Sequence, residues 1–355
     1  MRIAQISPLT EAVPPKLYGG TERVISWLTD ELVSLGHEVS LFASGDSVTT
    51  ATLEPMWPRA LRLDGSVRDP NALHMTMIEY VCRRASEFDI LHFHLDYYPF
   101  SLMSRQETPF VTTLHGRLDL PEHQPVFEMF STVPVISISN SQRRPVHSAR
   151  WAGTVYHGLP KDLLVPQPKT PSYLAFLGRI SPEKRVDRAV RIAERCGLSL
   201  KIAAKVDQVD IDYFNDDVRD LMRKPHVEFI GEISDNQKSE FLSEALALIV
   251  PIDWPEPFGI VMIEAMACGT PVVAYNRGSV PEIVEDGLTG FVVEDETSAV
   301  AAIRNISKLS RTAIRQRFDE RFTASRMARD YLEIYREVCG LKSGVETFKP
   351  RLVTG

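Results

Sequence analysis

Glu256-Pro257-Phe258-Gly259-Ile260-Val261-Met262-Ile263-Glu264, running on as Ala265-Met-Ala-Cys-Gly-Thr-Pro-Val-Val273, decides how this chain is read. Just upstream, Ala245-Leu-Ala-Leu-Ile-Val-Pro251 is an apolar run of the length of a buried strand. Pro257 has no amide hydrogen and suits the first turn of a helix, which sets Glu256 just outside it. Gly259 carries no side chain and lets a ligand come close to the backbone. The amides from Phe258 through Ile260 to Val261 then lack partners inside the helix and carry the positive end of its dipole. Such an end takes phosphate or sugar hydroxyls. Glu264 falls more than a turn further in, where a carboxylate can accept from two vicinal hydroxyls such as those of a ribose. A strand, a loop bearing a carboxylate, and a helix start are where open α/β sheets bind ligands.

Working outward, apolar strand-like runs alternate with helical patterns nearly throughout, which predicts parallel sheets covered by helices on both faces. In the first half the strands fall near Arg2–Ser7, Glu38–Ala43, Ile90–His94, Phe110–Leu114, Val133–Ile138 and Thr154–Tyr156. A helix after Gly19-Gly20 places Val24, Ile25, Leu28, Leu32 and Leu35 on one face and stops at Gly36. Between Gly158 and Pro171 the chain turns rich in proline and lysine, the best linker in the sequence. A second series follows near Ser172–Gly178, Leu200–Ala203, Val227–Ile230, Leu246–Val250, Pro271–Ala274 and Gly290–Val293. The length of 355 residues suits two domains, expected at 1–165 and 171–322, and a last helix is expected over Ala324–Val338.

Two further pieces suit a phosphate-bearing ligand. In Gly178-Arg179-Ile-Ser-Pro-Glu-Lys184, Arg179 can fork onto phosphate oxygens while Lys184 supplies a point charge near the next helix start. Gly19-Gly20-Thr-Glu-Arg opens a helix after the first strand and allows backbone approach, although it is not the full dinucleotide fingerprint. His115-Gly116 ends the strand Phe110–Leu114, also at a carboxyl edge.

Taken together, Asp253 to Val293, with Gly278-Ser-Val-Pro-Glu282 and Asp286-Gly-Leu-Thr-Gly290, resembles the signature of the family-4 retaining glycosyltransferases of the GT-B fold. The resemblance implies two facing Rossmann-like domains, the acceptor on the first and the nucleotide sugar in the second, with residues 323–340 as a helix returning to the first domain. It implies transfer of a hexose, glucose by the family's commonest usage, from UDP-glucose or a relative to an acceptor hydroxyl with retained configuration. No divalent metal and no cofactor are implied, and the leaving phosphate takes the acceptor's proton. By the same resemblance Arg179 and Lys184 hold the diphosphate, Gly19 and Gly20 close onto it, and His115 faces the transferred sugar. Glu256 orients the sugar hydroxyls, Glu264 the ribose, and Gly231-Glu-Ile233-Ser-Asp-Asn-Gln-Lys238 meets the base. Lys205 stands where many members have glycine; a phosphate contact and a plain surface lysine are both open. Pro14-Pro15-Lys16-Leu-Tyr-Gly-Gly20 is expected to border the acceptor pocket, and the acceptor itself is not named by the sequence: a small metabolite, a glycan or a lipid-linked glycan each fits.

Composition excludes other classes. A net charge of −7 and a pI near 5.8 argue against nucleic acid as a partner. Cys82, Cys196, Cys268 and Cys339 follow no zinc or disulfide spacing and read as reduced, mostly buried thiols of a cytoplasmic protein. The amino terminus reads as a strand instead of a signal peptide, and no apolar window approaches the roughly 18 residues of a transmembrane segment. Three rival readings stay open. Asp210-Ile-Asp212 is an Asp-x-Asp triplet that could hold a cation, although its surroundings look like an acidic helix entry. His92, His94 and Asp96 alternate and would share one strand face, the pattern of a metal-dependent hydrolase. A nucleotide-sugar epimerase would share the GT-B architecture but needs no second substrate.

Overall fold

The computed structural model describes residues 1–16 and 19–341. The described residues form two parallel sheets. The first holds β1 Arg2–Ile6, β2 Glu38–Ser44, β3 Thr52–Trp57, β4 Ile90–Phe93, β5 Phe110–Thr113, β6 Pro134–Ser137 and β7 Arg150–Thr154, in the spatial order β3-β2-β1-β4-β5-β6-β7. The second holds β8 Tyr173–Ile180, β9 Leu200–Val206, β10 Val227–Gly231, β11 Ala245–Val250, β12 Val272–Tyr275 and β13 Gly290–Val293, in the order β10-β9-β8-β11-β12-β13. Each order reverses once, between β1 and β4 and between β8 and β11, and such switch points open a crevice beyond the strands' carboxyl ends.

The expected strands are present with two differences. The sequence reading passed over β3: Thr52-Leu-Glu-Pro-Met-Trp57 is half-exposed and carries Pro55, which an edge strand tolerates. The strand expected at Thr154–Tyr156 lies earlier, at Arg150–Thr154, where the edge position removes the need for an apolar run. There Gly153 makes room for Ile334 of the last helix, whose end a Cβ would push aside.

The helix Gly20–Ser34 buries Val24, Ile25, Leu28 and Leu32 as its spacing predicts. Leu35 departs from that stripe: it caps the helix and is 37% exposed. Helix Ala324–Val338 lies against the first sheet's half, packed on helix Gly20–Ser34 and on β7. It is tied there through the backbone, Leu159 N–H donating to Phe322 O at 2.9 Å and Ala324 N–H to Leu159 O at 2.7 Å. One buried apolar cluster runs from Ile3 and Leu28 through Tyr331 and Phe322 to Phe258 and Met262, so the two halves share a core under the crevice. Among the described residues no helix is long and apolar enough to cross a membrane.

Candidate functional site

A cavity of about 380 Å³ opens where the carboxyl edges of the two sheets meet. From the first half it is lined by the Gly19-Gly20 turn after β1 and by His115 after β5. From the second it is lined by Arg179 and Lys184 around the end of β8, by Ile233 and Lys238 after β10, and by the segment following β11. The last of these brings Glu256, Phe258, Gly259, Ile260, Val261 and Glu264. Every residue assigned from the sequence to the sugar nucleotide therefore borders one space.

The decisive loop differs from its expected shape. The helix starts at Ile260 and ends at Ala267, with Gly259 as its N-cap, so Pro257 lies ahead of the first turn and not in it. Its prolyl ring fits an irregular loop as readily as a first turn, because either position leaves no amide to satisfy. The loop is held by closeness. Gly259 has φ +80°, and a Cβ there would stand 2.6 Å from Met262 Cε. Gly278 has φ +58°, and a Cβ there would overlap the Glu256 backbone. Ser279 N–H donates to Glu256 O at 2.9 Å and its hydroxyl to Phe258 O at 2.8 Å, which ties the Gly278-Ser-Val-Pro stretch to the loop. The Phe258 side chain is buried, packed against the His157 and Phe322 rings.

Charged groups on the second half are paired with one another. Lys184 and the Trp254 indole N–H, the latter at 2.9 Å, both donate to Glu256 Oε2. The ammonium also lies 5.0 Å from the Trp254 ring centre, a cation–π contact. Lys238 Nζ donates to Glu264 Oε1 at 2.6 Å in a pair almost shut off from solvent. Arg179 sits among Glu183, Asp210 and Asp207 at 2.5, 3.4 and 3.7 Å. Lys205 lines the cavity and pairs with Asp207 at 2.9 Å.

Several cavity residues escaped the sequence reading. Arg23, one turn into helix Gly20–Ser34, reaches across the crevice to Asp235 at 2.5 Å and stands 3.9 Å from Glu264. His157 stacks on His115 with ring centres 5.4 Å apart. Trp254 closes over Lys184. Arg23 belongs to the Gly-Gly-Thr-Glu-Arg motif and could have been flagged by its place in the first turn. His157 and Trp254 had no local signal.

The rival metal sites are accounted for by other bonds. His92 in β4 and His94 just past its end do lie side by side, their ring centres 4.1 Å apart. Both nitrogens of each already have protein partners: His92 faces Tyr335 and Thr113, and His94 faces His115 and Gln5. Asp96 falls beyond the strand's end. Asp210 turns in toward Arg179, while Asp212 points to solvent from a short turn of helix Ile211–Tyr213. No group of three or more His, Cys, Asp or Glu among the described residues could hold a metal ion. All four cysteines are free; only Cys268 is fully buried, the other three being half-buried. Of the stretch expected to border an acceptor pocket, Leu17 and Tyr18 lie outside the described residues.

Two sheets that meet edge to edge, with a polar crevice at their switch points and a returning last helix, define the GT-B class. Comparison with known proteins places the chain within it. Residues 165–323 match Glycosyl transferases group 1 and residues 18–163 match Glycosyltransferase Family 4. The chain belongs to this family-4, group 1 glycosyltransferase family. An α-maltose-1-phosphate synthase of Mycobacterium tuberculosis is 34% identical over 46% of this chain and 47% of its own length. The chain thus spans about half the length of the first such curated relatives. A glycogen synthase of the same organism is 25% identical over 99% of this chain and 98% of its own. The solved structure of HepE from Anabaena in complex with UDP and glucose superposes with a TM-score of 0.70, at 18% identity, over 95% of this chain and all of that one.

Proposed function

We propose that the chain is a retaining glycosyltransferase that moves a hexose, glucose first among the candidates, from UDP-glucose or a close relative to an acceptor hydroxyl, without a divalent metal. The observation that carries this reading is the convergence of Arg179, Lys184, Glu256, Glu264 and the Ile260 helix start on one cavity. The UDP and glucose bound by HepE, a protein of the same fold, support the choice of donor.

The same reading assigns each residue a role. As the sugar–phosphate bond breaks, charge gathers on the diphosphate while the sugar turns cationic. Arg179, Lys184 and the first amides of the helix are placed to stabilise that charge as it develops. Glu256 is pinned through Oε2 alone, so Oε1 serves a sugar hydroxyl. Glu264 is likewise held by Lys238 through Oε1, so Oε2 serves the ribose. An incoming diphosphate competes with Glu256 for Lys184, and that exchange links donor binding to sugar orientation. His115 faces the sugar, Ile233 and Lys238 border the base, and Gly19-Gly20 lies against the diphosphate: a Cβ on Gly20 would be 3.8 Å from Ile260 Cδ1 of the opposite half. The leaving phosphate accepts the acceptor's proton, so no carboxylate nucleophile is needed. A cytoplasmic site of action, with four free thiols, belongs to the same proposal.

A thermal-shift panel of nucleotide sugars tests the donor, because a ligand that binds only the native state raises its apparent melting temperature. The best donor then enters an acceptor screen. Turnover is expected to survive EDTA and to require an acceptor. Loss of activity with chelator favours a metal-dependent enzyme, and product formed from the donor alone with sugar inversion favours the epimerase.

A further inference from the structure

Behind the cavity, the first half ties its histidines into one chain of hydrogen bonds. His115 Nε2 lies 2.9 Å from His94 Nδ1, and His94 Nε2 lies 2.9 Å from Gln5 Oε1. The Gln5 amide nitrogen donates to the Tyr335 hydroxyl at 3.1 Å, and that hydroxyl stands 2.6 Å from His92 Nδ1. His92 Nε2 lies 2.7 Å from Thr113 Oγ1, itself 3.1 Å from the Tyr331 hydroxyl. Both tyrosines come from the returning helix. The chain stops on His115, which lines the cavity; its Nδ1 is shielded from solvent and has no hydrogen-bond partner among the described residues.

The direction of the chain follows from what each group can do. A neutral imidazole has one N–H and one lone pair. Gln5 Oε1 only accepts, so His94 carries its hydrogen on Nε2 and its lone pair on Nδ1. His115 must then donate from Nε2, which leaves Nδ1 as a bare lone pair. Having accepted from Gln5, the Tyr335 hydroxyl donates to His92 Nδ1, and His92 donates onward to Thr113. Turning the Gln5 amide over would reverse every bond and leave a buried His115 N–H with no acceptor, which native structures avoid. Burial also keeps the imidazoles neutral: His115 is lowered to about 3, and His94 and His92 lie well below their ordinary range.

We infer that Gln5, steadied by Tyr335 of the returning helix, is a positioning residue that acts through His94 to fix His115 as a hydrogen-bond acceptor at Nδ1. The ligand group that meets His115 is therefore a hydrogen donor, a sugar hydroxyl and not a carboxylate or phosphate oxygen. The inference rests on the nucleotide-sugar reading only for the identity of that group. It gives the last helix a second task besides joining the halves.

Long-range proton–nitrogen correlation spectra of histidine-labelled, ligand-free protein read the tautomers directly, with His115→Asn used to assign the signal. His115 is expected to carry its proton on Nε2, and a proton on Nδ1 overturns the inference. UDP-glucose is expected to move the His115 Nδ1 resonance and UDP alone to leave it in place; an equal shift with both assigns the contact to the diphosphate and overturns the hydroxyl. Gln5→Met keeps the volume but removes the acceptor. It is expected to mix the His115 tautomers and lower kcat roughly tenfold, the worth of one hydrogen bond, while UDP affinity by calorimetry stays unchanged. Gln5→Glu, which still accepts from His94, is expected to restore the single tautomer and most of the turnover. A single wild-type tautomer in Gln5→Met sinks the role of Gln5; if that variant does not fold, the wild-type spectra and Gln5→Glu decide. Absence of UDP-glucose binding overturns the donor reading instead, and the ligand-free spectra still test this one.

Discussion

The two walls of the cavity are built on opposite principles. The second half presents charge: Lys184 with Glu256, Lys238 with Glu264, and Arg179 among three acids, each ion held near its counter-ion. The first half presents neutral, buried imidazoles ordered by hydrogen bonds that reach to the far end of the chain. A site that binds a diphosphate at one end and a neutral sugar at the other calls for that division. Charge helps where charge accumulates, and an uncharged, fixed acceptor suits a hydroxyl. The contrast predicts that acid will damage the halves in sequence.

His115 is lowered from its ordinary 6.5 to about 3, and His92, His94 and His157 are lowered well below 6.5, in every case chiefly by burial. Lowered histidines mean that the unfolded chain binds more protons than the native one in that window. Their contribution is complete above about 6.5 and is lost as pH falls below that, for His115 toward about 3. In the second half, burial opposes ionisation of Asp187, but the Arg185 and Arg191 guanidinium groups overcome it and lower the carboxyl to about 2. That lowered carboxylate contributes fully above its ordinary 3.8 and fails only as pH falls through about 2. Hydrogen exchange at mildly acid pH should therefore show the first sheet opening while the second stays protected. Simultaneous opening, or the second sheet first, breaks the comparison.

The charged wall makes the next largest claim. Lys184→Ala is expected to lower kcat by about 3 kcal/mol, on the order of a hundredfold, as removal of one transition-state donor typically does. Because Lys184 is partly exposed and Trp254 still donates to Glu256, folding should change little. Wild-type turnover in this variant would take the diphosphate away from Lys184.

That wall was legible in the sequence because its residues act within short spans: Glu256 to Glu264 across one loop and helix, Arg179 to Lys184 across one strand end. Strand, loop and helix order then place such spans at a sheet edge without further information. The neutral wall was not legible. His92 and His94 advertised a shared face and do lie side by side, but their partners Tyr335 and Gln5 lie hundreds of positions from one another, and nothing local joins them. The same reason hid His157, which follows β7 and meets His115, past the end of β5, only in the folded chain. β3 was missed for a different cause: an edge strand with a proline needs no apolar run, so it leaves no periodic mark.

Glu264 shows how the structure changes a test that spacing alone would set. By spacing alone Glu264→Ala is a clean probe of ribose binding, yet Glu264 is 2% exposed and its carboxylate is the closest partner of Lys238. Removing it takes away the nearer of two carboxylates beside the Lys238 ammonium, the other being Asp235 at 3.2 Å, and is expected to cost about 2 kcal/mol of stability. Glu264→Gln keeps an acceptor for Lys238 and removes only the charge. It is expected to weaken UDP binding roughly tenfold by calorimetry, about 1.4 kcal/mol, with a melting temperature close to wild type. Unchanged UDP affinity in a folded Glu264→Gln protein would place the ribose elsewhere.

The smallest effect belongs to a charge that crosses from the first half to the second. Arg23 leaves the first half to meet Asp235 at 2.5 Å, with Glu264 at 3.9 Å, so it ties the first half to the Glu264 side of the cavity. Its side chain is 20% exposed and that of Asp235 32%, so solvent screens the pair and its worth is at most about 1 kcal/mol. Arg23→Gln is therefore expected to raise the donor KM about threefold and to leave kcat alone, since the residue bears on closure over the nucleotide and not on the reacting bond. The difference should shrink at high salt, because ions screen exposed charges over distances of about 10 Å and less. A kcat loss as large as that of Lys184→Ala would show that the charged wall continues into the first half. No change at any ionic strength would show that the walls meet without an electrostatic link.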